Sequence, residues 1–126
     1  MKTEGLLVVG VALILGLSIA PYMMIHNASI DLASSLDSMQ QTISQGQWDK
    51  AKEQISSTHD SWTKTKRTWS SIIDHQEIDN IDISMSKLEQ YVETKALSLS
   101  AGEVSTLKQL VEHIADKEKP TLTNVF

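Results

Sequence analysis

The run GLLVVGVALILGLSIAPYMMI, Gly5 to Ile25, contains no charged side chain. At a helical rise of ~1.5 Å per residue its 21 residues extend roughly 32 Å, enough to cross a hydrocarbon core of about 30 Å. The residues that follow are too few to enclose such a segment in a soluble core. A cleavable signal peptide is the competing reading. Ser18-Ile19-Ala20 has the small-x-small form of a cleavage site, but Pro21 would follow the cut and hinder it, and the apolar run continues through Tyr22, Met23, Met24 and Ile25. The expectation is an uncleaved signal-anchor over residues 1–26 and an extracytoplasmic domain over residues 27–126. Pro21 removes one helical hydrogen bond near the end of the span, where a kink is tolerated. Lys2 and the amino group precede the span, and His26 and Asp31 follow it. The positive-inside rule then puts the N-terminus in the cytoplasm and the domain outside a bacterial cell membrane.

Composition narrows the partners. Lys2 and Glu4 account for one charge of each sign, so 10 of the 11 basic and 15 of the 16 acidic side chains lie downstream of the span. An acidic body lacks the phosphate contacts that supply most nucleic-acid affinity, so no nucleic-acid partner is expected. An anionic lipid surface would likewise repel it. The chain has no cysteine, which removes disulfides and thiol chemistry. Glycine and proline are scarce (5 and 2), which favours long helices.

Four apolar stripes follow. Leu32, Leu36, Met39 and Ile43 are spaced 4, 3, 4, with Asn27 or Ser29 as a start cap unless the helix continues from the membrane, and Gly46 as a C-terminal cap. Trp48, Ile55, Trp62 and Trp69 recur every seven residues, and Ala51, Thr58, Thr65 and Ile72 recur between them. This is a heptad seam of bulky against small or β-branched side chains, suited to helix packing rather than to an aromatic ligand platform. Lys64, Lys66 and Arg67 fall beside it and read as solvated. A third stripe, Ile78, Ile81, Met85, Leu88 and Val92, is out of register with the second, which places a turn near residues 74–77. The fourth is Val104, Leu107, Val111 and Ile114, widened by Leu110; Ser100-Ala-Gly-Glu103 resembles a capping box at its start, and Lys117, Lys119 and Pro120 suit its end. Leu122, Val125 and Phe126 are expected to fold back over the open end. The fold class is all-α: an N-terminal transmembrane helix, then a small antiparallel bundle of about four helices.

The stretch WSSIIDHQEIDNI concentrates His75 with Asp74, Glu77 and Asp79, and Asp82 follows closely. Asp74-x-x-Glu77 has capping-box form, with Asp74 accepting from a free backbone N–H and Glu77 reaching back. Asp79 and Asp82 stand in the first turns, where the helix dipole favours anions. His75, Asp79 and Asp82 also share one face at i, i+4, i+7 and are the candidate metal ligands. That spacing matches no common zinc motif and would need a second helix to complete the shell. His26, His59 and His113 stand isolated. No nucleophile–base pair or phosphate loop appears, so neither an enzymatic activity nor a cofactor is expected.

Two resemblances add to this reading. GQWDKAKEQI is similar to the turn of a tetratricopeptide repeat, with Gly46, Trp48 and Ala51 in the glycine, aromatic and small positions. More of the chain resembles the bacterial domain-of-unknown-function 4363 family, through the hydrophobic N-terminus, Gly46-Gln-Trp48-Asp-Lys-Ala51, Trp62 and Trp69, His75-Gln-Glu77-Ile78-Asp-Asn-Ile81, and Pro120-Thr-Leu-Thr-Asn-Val-Phe126. This resemblance implies a membrane-anchored protein with no assigned activity, and a membrane partner of the domain-of-unknown-function 421 type. The expected function is binding or scaffolding of another envelope protein. The alternative is a metal- or ligand-binding sensor domain centred on His75.

Overall fold

The computed structural model describes residues 2–117, and the expected roles of Lys119, Pro120, Leu122, Val125 and Phe126 lie outside the described residues. Four helices follow one another: α1 (Lys2–Ser44), α2 (Trp48–Trp69), α3 (His75–Glu93) and α4 (Leu97–Lys117). Among the described residues there is no strand, so the all-α expectation holds. Each helix packs on two neighbours, α1 on α2 and α4, and α3 on α2 and α4. Cross-links run antiparallel in every pair: Ser38 to Gln54, Lys66 to Asp82, Ser84 to Glu103 and Asp37 to Lys108. The result is an up-down-up-down four-helix bundle.

α1 is a single helix of 43 residues, with Pro21 inside it and no break at the expected 26/27 boundary. Its two halves obey different rules. In the first half Leu6, Val8, Leu13 and Leu17 are exposed, Leu17 at 75%. In the second half Ile25, Ser29, Leu32, Leu36, Met39 and Ile43 are buried, spaced 4, 3, 4, 3, 4 as a heptad seam requires. The core therefore begins at Ile25, inside the run assigned to the membrane. Ser29 is no cap: its hydroxyl donates to the Ile25 carbonyl at 2.7 Å within the helix.

Both hairpin turns use one device. After α1, the Gln47 N–H donates to the Thr42 carbonyl (3.1 Å) and the Gly46 N–H to the Ile43 carbonyl (2.9 Å), with Gly46 at φ 69°. This is a Schellman motif, and Gly46 fills its left-handed position as expected. After α3, Ala96 donates to Tyr91 (2.9 Å) and Lys95 to Val92 (3.0 Å), with Lys95 at φ 55°. Lys95 stands 49 residues after Gly46, and the same shift carries Leu32 onto Ile81, Ile43 onto Val92, Ala51 onto Ser100 and Trp62 onto Val111, all buried. The two hairpins are built on one plan and face each other in a closed ring.

The remaining seams match their sequence pattern except at Trp48 and Thr65, which are half-buried, and at two ends. Ala51, Ile55, Thr58, Trp62 and Trp69 are buried on α2, Ile78, Ile81, Met85, Leu88 and Val92 on α3, and Val104, Leu107, Val111 and Ile114 on α4. Ile72, expected on the α2 seam, is 37% exposed, and Ile73 is buried in its place. The helix stops at Trp69, whose carbonyl accepts from both Ile72 and Ile73, and the tight turn reverses which side chain points inward. The Ser100–Glu103 capping box does not form. The Schellman turn delivers the chain straight into α4 at Leu97, so Ser100 lies inside the helix, and Glu103 instead accepts from the Ser84 hydroxyl at 2.7 Å.

A non-glycine residue at a left-handed position costs about 1–2 kcal/mol. Lys95→Gly is therefore expected to raise the unfolding free energy by up to that amount, and Gly46→Ala to lower it by about 1 kcal/mol. Denaturant melting of the full chain in detergent checks both; a Lys95→Gly variant less stable than the parent would contradict the assigned turn.

Candidate functional site

Trp62, Trp69, Lys66 and Asp82, singled out in the sequence, meet along the α2–α3 seam. Trp62 and Trp69, two turns apart on α2, meet edge to face with ring centroids 5.6 Å apart and planes at 83°. Both are 1% exposed, so they form core and not a ligand platform. Trp48 is half-buried against the same cluster. The Trp62 indole N–H donates to Asp82 Oδ1 at 2.8 Å, and Lys66 Nζ donates to Asp82 Oδ2 at 2.6 Å. Asp82 therefore clasps α3 to α2 with both oxygens, and Lys66 is paired rather than solvated. A buried indole N–H needs such an acceptor, because an unmade bond there costs about 1–3 kcal/mol.

The clasp is one of three rungs. Lys52 meets Glu93 at 3.5 Å, and His59 Nδ1 pairs with Glu89. Lys52, His59 and Lys66 recur every seven residues along α2, and every partner on α3 is a carboxylate. The upper two rungs edge an open cleft of about 370 Å³ over Ile55 and Val92, with Ser56, Asp60 and Thr63 on its rim. Glu89 fixes the His59 ring through Nδ1. His59 is thus not isolated, and neither are His26 and His113: His26 stacks on Tyr22 at 5.6 Å, and His113 Nε2 lies 3.7 Å from Glu77.

The acidic stretch resolves into separate tasks. Asp74 is the N-cap of α3, its carboxylate accepting from the Gln76 N–H at 2.9 Å. Glu77 does not reach back to complete a capping box. Its side chain, only 16% exposed, turns to α4, where Lys117 Nζ lies 3.3 Å and His113 3.7 Å away. His75 and Asp79 are exposed, and Asp82 points into the α2 clasp. Among the described residues no group of three or more His, Asp or Glu side chains gathers at metal-binding distance. The hydrophobic residues Ile78 and Ile81 are core. On the opposite side of the bundle Asp37 hydrogen-bonds Lys108 at 2.7 Å and holds that ammonium above the usual lysine range.

The family model for a domain of unknown function, DUF4363, matches residues 19–125. The chain belongs to the DUF4363 family. The matched DUF4363 region takes in the second half of α1 and the helices after it, and leaves residues 1–18, most of the apolar half, outside. No curated protein and no solved structure matches the chain.

The rungs escaped the sequence reading because each partner lies far off along the chain, 30 residues for His59 and Glu89. The seven-residue recurrence of Lys52, His59 and Lys66 was the available signal, since flanking positions of a heptad seam are where inter-helix ion pairs form.

Two mutational series test the seam in the full chain. Trp62→Ala is expected to destabilise by about 3–5 kcal/mol, and Asp82→Ala by about 1–3 kcal/mol through the orphaned indole, with Asp82→Asn milder because it keeps an acceptor. At the α3 cap, Asp74→Ala is expected to cost about 0.5–2 kcal/mol and Asp74→Ser little. His75→Gln should leave the melting curve and its response to zinc or manganese unchanged. A metal-dependent rise in melting temperature that vanishes with His75→Gln would restore His75 as a ligand.

Proposed function

We propose that this protein is a single-pass, membrane-anchored scaffold that holds a helical bundle outside the bacterial cell membrane and presents its far end to another envelope protein. The observation that carries this reading is the continuity of α1. One helix is long and apolar enough in its first half to cross a membrane and is buried by heptad packing in its second. An exposed apolar half attached without a hinge to a folded bundle is what a bilayer stabilises, since it takes up the surface water would reject. The excess of positive charge before the span supports an outside position for the bundle.

The end remote from the span supports the partner. There the first turn of α4 exposes Leu97 and Leu99, and Trp48 is half-buried beside Lys95. Apolar side chains on a charged surface, grouped at one end, suit protein contact more than solvent. The polar pairs on the bundle sides join its own helices, which fits a role in holding shape rather than in chemistry.

The full-length protein is expected to stay in the membrane fraction after carbonate washing, with the bundle removed by protease added outside. A photocrosslinking residue at Leu99 should give a discrete adduct in native membranes that one at Asp79 does not. A mature protein whose N-terminal sequence begins at Pro21 would defeat the anchor, and equal crosslinking at both positions would defeat the distal surface.

A further inference from the structure

We infer that the bundle makes a second contact with the bilayer besides α1: the corner formed by the end of α2 and the α2–α3 turn seats Ile72 in the headgroup layer and brings Lys64 and Arg67 to phospholipid phosphates. The inference rests on the membrane reading above.

Relative height comes first. Met24 and Ala28 of α1 line the same hollow as Lys64, Thr65, Thr68 and Trp69 of α2. The last turns of α2 are therefore level with the point where the uncharged run of α1 ends, at Ile25. The turn over residues 70–73 continues past Trp69 towards the span. A hydrocarbon core of about 30 Å takes about 20 helical residues. Starting beyond Glu4, it ends near Met24, so the turn meets the headgroup layer.

The side chains on this corner suit that layer. The turn buries Ile73 but leaves Ile72 exposed, between Ser71 and the α3 cap Asp74. Ile72, 37% exposed, lies outside the buried core, and the part of an apolar side chain left open at a turn tip gains by entering the interface. Lys52, Lys66, Lys108 and Lys117 each meet a carboxylate. Lys64 and Arg67, exposed at this corner, meet none among the described residues. A phosphodiester is the acceptor the layer offers, and every phospholipid carries one; arginine binds it through its planar fork and lysine as a point charge. The α4 corner is different. Glu112 and Asp116 line the hollow beside Tyr22 and His26, so phosphate is repelled there. The contact thus belongs to the α2 side, where Lys64 and Arg67 stand exposed on the helix, with the carboxylate of Asp74 in the turn beside them.

The absence of cysteine makes the test direct. Ile72→Cys and, at the distal turn, Gln45→Cys are each labelled with an environment-sensitive fluorophore in the full chain. The proteins are reconstituted in phosphatidylcholine vesicles, with and without phosphatidylglycerol, and in maltoside micelles, which lack phosphate. The label at residue 72 should shift to the blue in both vesicle types and be quenched by lipid spin-labelled at headgroup depth, while the label at residue 45 stays in water. Combining Lys64→Glu with Arg67→Glu should cut the quenching several-fold while the protein still floats with the vesicles, and micelles should give the weaker shift of the charge-reversed protein. Equal water exposure of both labels in floating vesicles overturns this contact and leaves the anchor standing. Undiminished quenching after charge reversal overturns the role of Lys64 and Arg67. A chain that does not float at all overturns the anchor and this contact together.

Discussion

One helix follows two side-chain rules without a joint between them. α1 is 43 residues long, ~65 Å at the usual rise, and its backbone does not break where its side-chain rule changes. Before Pro21 apolar side chains point in every direction; from Ile25 only one stripe is buried. Pro21 withholds a single N–H, which costs a hydrogen bond there, but the helix on either side is long enough to carry through it. The other three helices are confined to running back and forth along the second half of α1, so the direction of the first half sets the direction of the whole bundle.

The seams were legible because heptad spacing is a local property of the chain. Leu32 to Ile43, Trp48 to Trp69, Ile78 to Val92 and Val104 to Ile114 announce their faces within a few turns. Gly46 announced its turn because only one residue type takes that conformation freely. Lys95 takes the same conformation and gave no such signal, so α4 starts three residues before the expected cap at Ser100. The other misreadings are of one kind. Glu77, Glu103, His59 and Lys66 were judged by their near neighbours, and each is engaged by a side chain on another helix. Their partners depend on how the hairpins face each other, which spacing along one helix does not contain.

The two hairpins share a plan but differ in how they are tied. The 49-residue correspondence sets Ala51 against Ser100, and both are fully buried in the first turn of the returning helix. Alanine fits there without remainder; the Ser100 hydroxyl has no hydrogen-bond partner. Between hairpins, one side is closed by Trp62, Lys66 and Asp82 and the rungs above them, the other by Asp37 and Lys108. Lys52, His59 and Lys66 of the ladder all stand on α2, and their carboxylate partners all on α3. Sliding α3 by one helical turn would leave the Trp62 N–H without its acceptor while the apolar seam still met an apolar seam. The polar rungs therefore select one register among several that hydrophobic packing alone would accept.

A bundle fixed in register and joined to its span by continuous helix behaves as a post. Tilt or rotation of the apolar half about its axis carries the Lys95–Leu97 turn and Trp48 with it, because no loop intervenes to absorb the motion. Flexing would have to pass through the ring of packed helices, and each α1 seam residue from Leu32 to Ile43 contributes to the same core as α2 and α4. The short turns add little slack: three residues after α1 and three after α3, each held by the backbone hydrogen bonds of its Schellman motif. The distal surface is consequently held about one bundle length from the span, ~33 Å for the 22 residues of α2. A partner bound there, as proposed above, would be held at a fixed height and azimuth relative to the apolar half of α1, and that geometric constraint is what a helical post supplies and a flexible tether does not.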